Sequence, residues 1–231
     1  MDKIDTKYYS RIIFSIDFIH SCQIRKEKAV KKYIWLNPVV LKMYDQEEVR
    51  SHLENLHFEI VTCEENHIQT VKNKYEKQYK GCNSLLCDNR CPKAVSHVRN
   101  HYDNANLEYS TIQPILIHCA EELANRYKGH DVQLYIITPC TDLKNQGNKL
   151  NMKNTIFQTW TEFCREHNII LKRKSIESSP IPPGFFDNIP DVVSLSSKHD
   201  IDRYFQEASQ KDKRLIEMLY CQGGCHNGDG V

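Results

Sequence analysis

The sequence lacks an excess of charge of one sign and lacks any long hydrophobic run. Its 231 residues include 31 lysines and arginines against 30 aspartates and glutamates, which gives a formal charge of +1. Because this balance offers no attraction for polyanions, we expect neither nucleic acid nor an anionic membrane as a partner. No apolar stretch approaches the roughly 18 residues that a membrane-spanning helix requires. The composition, with 40% hydrophobic and 26% charged residues, is typical of a globular protein.

The beginning of the chain also lacks an export signal. Met1–Asp5 has no basic flank followed by an apolar run, as secretory signals have. We therefore expect a cytoplasmic protein whose thiols stay reduced. Residues 1–32 form a polar and aromatic lead-in without repeats, and a regular pattern begins at residue 33.

Glycine is scarce, with eight residues, whereas cysteine is abundant, with ten. Four of the glycines fall in the last nine positions, next to two of the cysteines. In a reducing compartment, clustered thiols more often bind metal or perform redox chemistry than form disulfides. The C-terminal segment therefore combines thiols with unusual backbone freedom.

From residue 33 onward, strand-like and helix-like patterns alternate, which is typical of an α/β fold with a mostly parallel sheet. The predicted strands are residues 33–36, 58–63, 85–87, 132–137, 169–171 and 192–195. The predicted helices are residues 45–56, 68–75, 92–102, 111–127, 155–167 and 200–219. In such folds, functional residues tend to lie just beyond the carboxyl ends of the strands.

Four cysteines lie directly beyond the ends of predicted elements. Cys91 and Cys140 each follow a strand, whereas Cys221 and Cys225 follow the last predicted helix. At such positions thiolates from distant segments can converge, and backbone N–H groups can stabilise negative charge. The four positions together favour a metal centre over four unreactive core thiols.

The neighbours of these cysteines suit an iron–sulfur cluster. Pro92 follows the first cysteine and Pro139 precedes the second, and a proline at a cluster ligand removes a competing N–H and fixes the turn. Gly223 and Gly224 separate the last two cysteines, so the backbone can approach a bulky inorganic group without a side-chain clash.

Three segments resemble, in order, the H-cluster domain of iron-only ([FeFe]) hydrogenases. They read CPKAV at 91–95, TPC at 138–140 and LYCQGGCHNG at 219–228. The match is closest to the shorter, sensory-like members and covers residues 33–231. The chain ends soon after the third segment, where relatives continue, so we expect a domain truncated at its C-terminal end. The resemblance implies two lobes of mostly parallel sheet flanked by helices, with the cluster site in the cleft between them.

The resemblance also implies a ligand set and a reaction. Cys91, Cys140, Cys221 and Cys225 would ligate a [4Fe–4S] cluster, and Cys225 would also bridge to a two-iron subcluster carrying CO and cyanide. The implied activity is an oxidoreductase reaction, the reversible reduction of protons to dihydrogen under anaerobic conditions, or hydrogen sensing. Implied partners are an electron carrier such as ferredoxin and, where the two-iron unit is present, dedicated maturation proteins.

Three positions depart from the pattern of active members of the family. Arg90 stands where a cysteine passes protons, and a guanidinium that stays protonated is a poor proton shuttle. The register of a cyanide-binding lysine holds Leu143, with Lys144 one residue later, and neutral Gln146 replaces a relay carboxylate. These departures favour an alternative, a non-catalytic iron–sulfur domain for redox chemistry or hydrogen sensing.

Two further interpretations of the thiols stay open. A zinc-stabilised binding domain would use thiolate ligands equally well. Cys82, Cys87 and Cys91 have the spacing C-x4-C-x3-C, which suggests a second metal site, although an intervening strand would separate the side chains. The cysteines that fall within apolar periodicity are interpreted as core residues: Cys63, Cys119 and Cys164.

Overall fold

The computed structural model describes residues 30–104, 106–207 and 213–231, so nearly all of the lead-in predicted for residues 1–32 lies outside it. The described residues form two four-stranded sheets in which all paired strands are parallel. The strands are Lys31–Trp35 (β1), Phe58–Ile60 (β2), Leu85–Cys87 (β3), Leu107–Tyr109 (β4), Val132–Thr138 (β5), Thr155–Thr159 (β6), Val192–Ser196 (β7) and Leu215–Leu219 (β8).

The strand orders are β2-β1-β5-β6 in the first sheet and β4-β3-β8-β7 in the second. Helices connect and flank the strands, so the predicted α/β fold with parallel sheets is confirmed. The described helices are Pro38–Met43 (α1), Gln46–Asn55 (α2), His67–Gly81 (α3), Pro92–His101 (α4), Ile115–Arg126 (α5), Thr141–Lys149 (α6), Trp160–Glu166 (α7) and Lys198–Gln206 (α8). Among the described residues, no helix combines the length and apolar character that a bilayer crossing demands.

Each sheet is held by its own apolar clusters. Trp160 and Phe163, both buried, stack against one another beneath the first sheet, where Ile34 of β1 is also fully buried. Under the second sheet, buried Tyr75 of α3 packs against Phe186, a residue of the long loop before β7. Burial on both faces is consistent with the mainly apolar sequences of the central strands β3, β5 and β8.

The helix predicted for residues 155–167 is wrong in its first part. Residues Thr155–Thr159 form β6, which pairs with β5, and a helix begins only at Trp160. Thr159 caps it, since its hydroxyl accepts the Glu162 N–H while the Glu162 carboxylate accepts the Thr159 N–H. The strand predicted for residues 169–171 is absent from the described structure, because β6 already completes that edge of the sheet.

The helix predicted for residues 200–219 is also wrong in its second half. It ends at Gln206, and residues Leu215–Leu219 form β8 between β3 and β7. All five residues of β8 are buried, and the single polar residue at its centre, Glu217, gives the segment the spacing of a helical face. Cys221 therefore follows a strand and not a helix. The helix predicted from residue 111 begins only at Ile115, after Pro114.

Candidate metal centre

The segments that follow three strands, β3, β5 and β8, place cysteines around one cavity. Cys91 follows β3 of the second sheet, Cys140 follows β5 of the first sheet, and Cys221 follows β8, with Cys225 a few residues further. All four residues line a cavity of about 150 Å³ whose walls come from both sheets. The structure thus brings together the four residues that the sequence singles out. That volume corresponds to about five water molecules at about 30 Å³ each, which is room for a small inorganic cluster.

Two of the cysteines stand at helix N-termini. Cys91 precedes the first residue of α4 and Cys140 precedes the first residue of α6, and neither thiol forms a capping hydrogen bond. The backbone N–H groups of Ala94 in α4 and Leu143 in α6 nevertheless face the two sulfur atoms, and each favours a negatively charged thiolate. The positive ends of the two helix dipoles favour negative charge on a group bound between them.

The C-terminal segment, which follows β8, contacts the residues that follow β5. Gly230 donates its N–H to the Pro139 carbonyl at 3.2 Å, and the Asp229 carboxylate accepts the Thr141 N–H at 2.9 Å. A Cβ atom on Gly228 would lie 2.3 Å from the Pro139 carbonyl oxygen, closer than real Cβ contacts allow. A glycine at this position therefore lets the segment that carries Cys225 lie against the segment that carries Cys140.

Gly224, which precedes Cys225, also allows a close approach between two backbone segments. Its φ is +121°, and a Cβ atom there would meet the Ile181 carbonyl oxygen at 2.4 Å. The same carbonyl accepts the Cys225 N–H at 3.3 Å, so the glycine permits a backbone contact that fixes Cys225. Both the positive φ and the close approach require glycine.

The thiols carry a large cost of ionisation in the absence of a cation. Burial raises the pKa of Cys91 and Cys221, and it raises the pKa of Cys140 to about 12. The pKa of Cys225 is raised well above its ordinary value by burial and then by repulsion from the other three thiols. A positively charged metal centre would supply the compensation that four converging thiolates need.

The sulfur spacing separates two kinds of centre. Four thiolates on one zinc ion, at about 2.3 Å each, would lie roughly 3.8 Å from one another. The groups of metal-ligating atoms that lie within 4.8 Å of one another in the described residues include no three of these four thiols. The four thiols are therefore not preset around a single tetrahedral ion.

Arg90, next to the first ligand, belongs to a buried ion network. Its Nη2 lies 2.8 Å from Asp88 Oδ2 and 2.7 Å from Glu217 Oε1, and both carboxylates are fully buried. The guanidinium also lies over the rings of Phe185 and Phe186, at 4.0 Å and 4.5 Å from their centroids. Although burial opposes its charge, the two carboxylates raise the Arg90 pKa above its ordinary value. Arg90 is therefore a permanently charged structural cation.

Lys144 lies away from the cavity that the cysteines line. Its Nζ donates to Glu162 Oε1 at 2.6 Å, and Leu143 contributes to the cavity wall instead. Gln146 donates through Nε2 to Gln113 Oε1 at 2.8 Å. The structure therefore directs Lys144 toward the start of α7 and not toward the four thiols.

A second cavity of about 200 Å³ lies beside the first and shares the Cys225 wall with it. Its other walls are mainly apolar and include Pro114, Ile115 and Phe185. Arg90 borders both cavities, with its donors directed to Asp88 and Glu217. A group bound in the second cavity would contact Cys225 on one side and mainly apolar side chains on its other sides.

No family model and no curated protein matches the sequence. Solved structures do match it. The apo [FeFe]-hydrogenase HydA1 from Chlamydomonas reinhardtii, in one variant, has a TM-score of 0.56 and 11% identity, covering 94% of this chain and 84% of that chain. The HydA(deltaEFG) structure, described as showing stepwise [FeFe]-hydrogenase H-cluster assembly, has a TM-score of 0.56 and 10% identity, covering 95% and 84%.

The fold resembles that of [FeFe]-hydrogenases. A second HydA1 variant from the same alga agrees, with a TM-score of 0.55 and 10% identity. At this level of identity the similarity concerns the fold. The hydrogenase-like arrangement of two parallel sheets is what brings the ends of β3, β5 and β8 to one cavity.

The remaining cysteines lie elsewhere. Cys82 donates to Glu108 Oε2 at 3.1 Å, and Cys87 is fully buried in β3. Among the described residues, the tight groups of metal-ligating atoms include neither of these two cysteines. Cys164 is partly buried and packs against the core of the first sheet, consistent with the interpretation as a core residue.

Sequence reasoning missed the carboxylates around Arg90. Glu217 lies in the middle of the apolar run of β8, and Asp88 directly follows β3. An acidic residue inside a buried strand is rarely without a charged partner. That rule could have signalled Glu217, although nothing in the sequence names Arg90 as the partner.

Proposed function

We propose that this chain is an [FeFe]-hydrogenase-like iron–sulfur domain that holds one [4Fe–4S] cluster on Cys91, Cys140, Cys221 and Cys225. The observation that carries the proposal is that four partly buried thiols from three distant segments line a single cavity of about 150 Å³. When bound, such a cluster supplies one-electron transfer, with a potential set by charge, hydrogen bonds and burial.

The chain's own residues suit the binding of an anionic cluster. The N-termini of α4 and α6 direct positive dipole ends toward it. Lys93 lies close enough to Cys221 to act electrostatically on its thiol, and Arg90 does the same for Cys225. Positive charge near a cluster favours the reduced form, so Lys93 would raise its potential, whereas the charge of Arg90 is offset by Asp88 and Glu217.

Hydrogen chemistry at a two-iron subcluster is the second candidate. The adjoining cavity of about 200 Å³ favours it, because Cys225 lines both cavities and could bridge their contents. The position expected to move protons is held instead by Arg90, whose guanidinium is committed to Asp88 and Glu217. We therefore propose electron transfer or hydrogen sensing as the role of the cluster, with slow or no turnover of dihydrogen.

A cytoplasmic location and a ferredoxin-like electron partner are part of the same proposal. Both rest on the requirement of an oxygen-sensitive cluster for reduced thiols and for an electron donor. Maturation proteins would be partners only where a two-iron unit is installed.

The test is anaerobic reconstitution of the full chain with iron and sulfide. We expect four irons and four sulfides per chain and a brown absorbance that bleaches on reduction. Cys225→Ser should remove most of the cluster, whereas Cys164→Ser, the matched control, should retain it. Equal iron loss in the two variants would refute the four-thiol assignment, and a colourless zinc protein would refute the iron–sulfur cluster.

Infrared spectroscopy separates the two candidate roles. Chain that has been exposed to hydrogenase maturation proteins should show no CO or cyanide bands if the cluster acts alone. The appearance of both bands with measurable hydrogen evolution would replace electron transfer with catalysis as the role.

A further inference from the structure

A second group of metal-ligating side chains lies outside the four-cysteine cavity, at the end of β2. Cys63 lies three residues beyond β2, His67 is the first residue of α3, and Cys119 lies in α5. One ligand atom from each of the three lies within 4.8 Å of the other two. None of the three lines the cavity of the proposed cluster.

Burial distinguishes this group from a chance cluster on the surface. His67 is 7% exposed, Cys119 is 6% exposed, and Cys63 is partly buried. The Cys63 thiol makes a long contact, 4.0 Å, to the backbone carbonyl of Cys119, and it also interacts with the Cys119 thiol and the Glu122 carboxylate. A buried imidazole facing two thiols is the donor set of a transition-metal site.

The histidine is oriented by a carboxylate that is itself fixed. His67 Nε2 lies 2.8 Å from Glu122 Oε2. Glu122 also accepts the backbone N–H groups of Glu64 and Glu65, at 2.9 Å and 3.2 Å, and pairs with Arg126. A carboxylate that holds the ring of a histidine ligand is the usual outer partner in zinc sites.

We propose that Cys63, His67 and Cys119 bind a divalent zinc-type cation, with Glu122 as the residue that positions His67. Two sulfurs and one nitrogen suit zinc, and two thiolates balance its charge. Zinc–sulfur and zinc–nitrogen bonds of about 2.3 Å and about 2.0 Å require ligand atoms less than about 4 Å apart, so small side-chain rotations complete the site.

The site would join two segments of the chain that are distant in sequence. Cys63 and His67 lie on the connection between β2 and α3, and Cys119 lies on α5, which packs beside α3. A bound cation would therefore stabilise this connection independently of the cluster. The same two thiols could alternatively form a disulfide, and the experiment must separate these outcomes.

Cobalt(II) alone is the probe, titrated anaerobically into the reduced full chain. To silence the four-cysteine cavity, the titration is repeated in a chain that carries Cys140→Ser and Cys221→Ser. We expect one equivalent of cobalt with thiolate charge-transfer bands and the visible bands of a tetrahedral site. Both signals should vanish in Cys63→Ser and in His67→Gln, and persist in Cys164→Ser.

The proposed role of Glu122 in positioning His67 is tested by a separate measurement. Glu122→Gln should weaken cobalt binding by about 10- to 100-fold while it leaves the charge-transfer bands in place. If the doubly substituted background fails to fold, X-ray absorption at the zinc edge of the unsubstituted chain should show two sulfur ligands and at least one nitrogen. A cobalt spectrum without thiolate bands, signals unchanged in Cys63→Ser, or a Cys63–Cys119 disulfide in chain purified under reducing conditions would overturn the proposal.

Discussion

Arg90 Nη2 lies 2.7 Å from Glu217 Oε1, which connects the loop after β3 to the middle of β8. The same guanidinium donates to both carboxylate oxygens of Asp88. Glu217 in turn accepts the N–H groups of Gly184 and Phe185, at the tip of the loop before β7. One buried arginine therefore connects three segments of the chain beside the two cavities that it borders.

Replacing Arg90 with methionine should destabilise the chain strongly. The change leaves two fully buried carboxylates without their cation, and breaking such a network by removing one partner costs about 3–5 kcal/mol. Urea unfolding of the apoprotein measures the loss. Arg203→Met is the control, because the Arg203 side chain is 58% exposed and its pair with Asp200 is worth about 1 kcal/mol or less. Similar losses in the two variants would contradict a structural role for Arg90.

Replacing Gly228 with alanine should impair assembly of the proposed cluster. The new Cβ would lie 2.3 Å from the Pro139 carbonyl oxygen, so the segments that carry Cys225 and Cys140 must separate. We expect at least a severalfold loss of iron after reconstitution, measured against protein concentration. Gly81→Ala is the matched control, since a Cβ there meets nothing within 4 Å, and full iron content is expected. Full iron content in the Gly228 variant would show that the close approach is not required.

Tyr75→Phe should destabilise the buried network around Arg90, because Tyr75 and Arg90 both donate to Asp88. The Tyr75 hydroxyl donates to Asp88 Oδ1 at 2.8 Å in a fully buried setting and accepts the Asn89 N–H. Burial, and then the charge of Asp88, raise the Tyr75 pKa well above its ordinary value, so the hydroxyl stays protonated as a donor. Loss of a hydrogen bond to a charged group costs about 1.5–3 kcal/mol.

Thermal or urea unfolding of Tyr75→Phe provides the measurement. Tyr109→Phe is the comparison, because the Tyr109 hydroxyl donates to Asp103 Oδ1 at 3.2 Å in a hydrogen bond that is exposed to solvent. We expect that variant to change the free energy of unfolding by less than about 1 kcal/mol. A larger loss in Tyr109→Phe than in Tyr75→Phe would exclude the buried hydrogen bond as the important one.

The cysteine positions were predictable because two of the strands are unambiguous. β3 and β5 are short apolar runs bounded by turn residues, and each is followed by a cysteine next to a proline. β8 was not predictable, because its buried Glu217 mimics the polar face of a helix and only the charge of Arg90 makes it acceptable inside a sheet. The hydrophobic periodicity of a sequence shows which residues are polar, but it does not show which of these residues have a buried charged partner.

The β6 strand illustrates a second limit. Residues Thr155–Thr159 lie directly before a true helix, and Ile156 and Trp160 have helical spacing with Phe163. What makes them a strand is pairing with β5, a contact between segments that local pattern does not contain. The group of Cys63, His67 and Cys119 was missed for the same reason, since helix packing alone brings Cys119 to the other two residues.

The stability that Glu162 contributes at the start of α7 should depend on pH. Burial acts to raise the pKa of Glu162, but hydrogen bonds from Lys144 and from Thr159 outweigh it and lower the pKa below its ordinary value. A carboxyl whose pKa is lower in the folded state contributes stability above its unfolded pKa, near 4.3, and loses it as the pH falls through the folded value. Glu162→Gln keeps an oxygen that can accept the Thr159 N–H but loses the ion pair with Lys144, so it should lower the free energy of unfolding at neutral pH by up to about 1 kcal/mol.

The difference between Glu162→Gln and the unsubstituted chain should shrink as the pH is lowered from about 5 to about 3, because both then present a neutral side chain to Lys144. Urea unfolding at a series of pH values tests this. Glu54→Gln, on the exposed face of α2, serves as the control and should leave the acid limb unchanged. A gap that stays constant or widens toward low pH would show that Glu162 acts through packing, and that its ionised form is not what holds the α7 cap against Lys144.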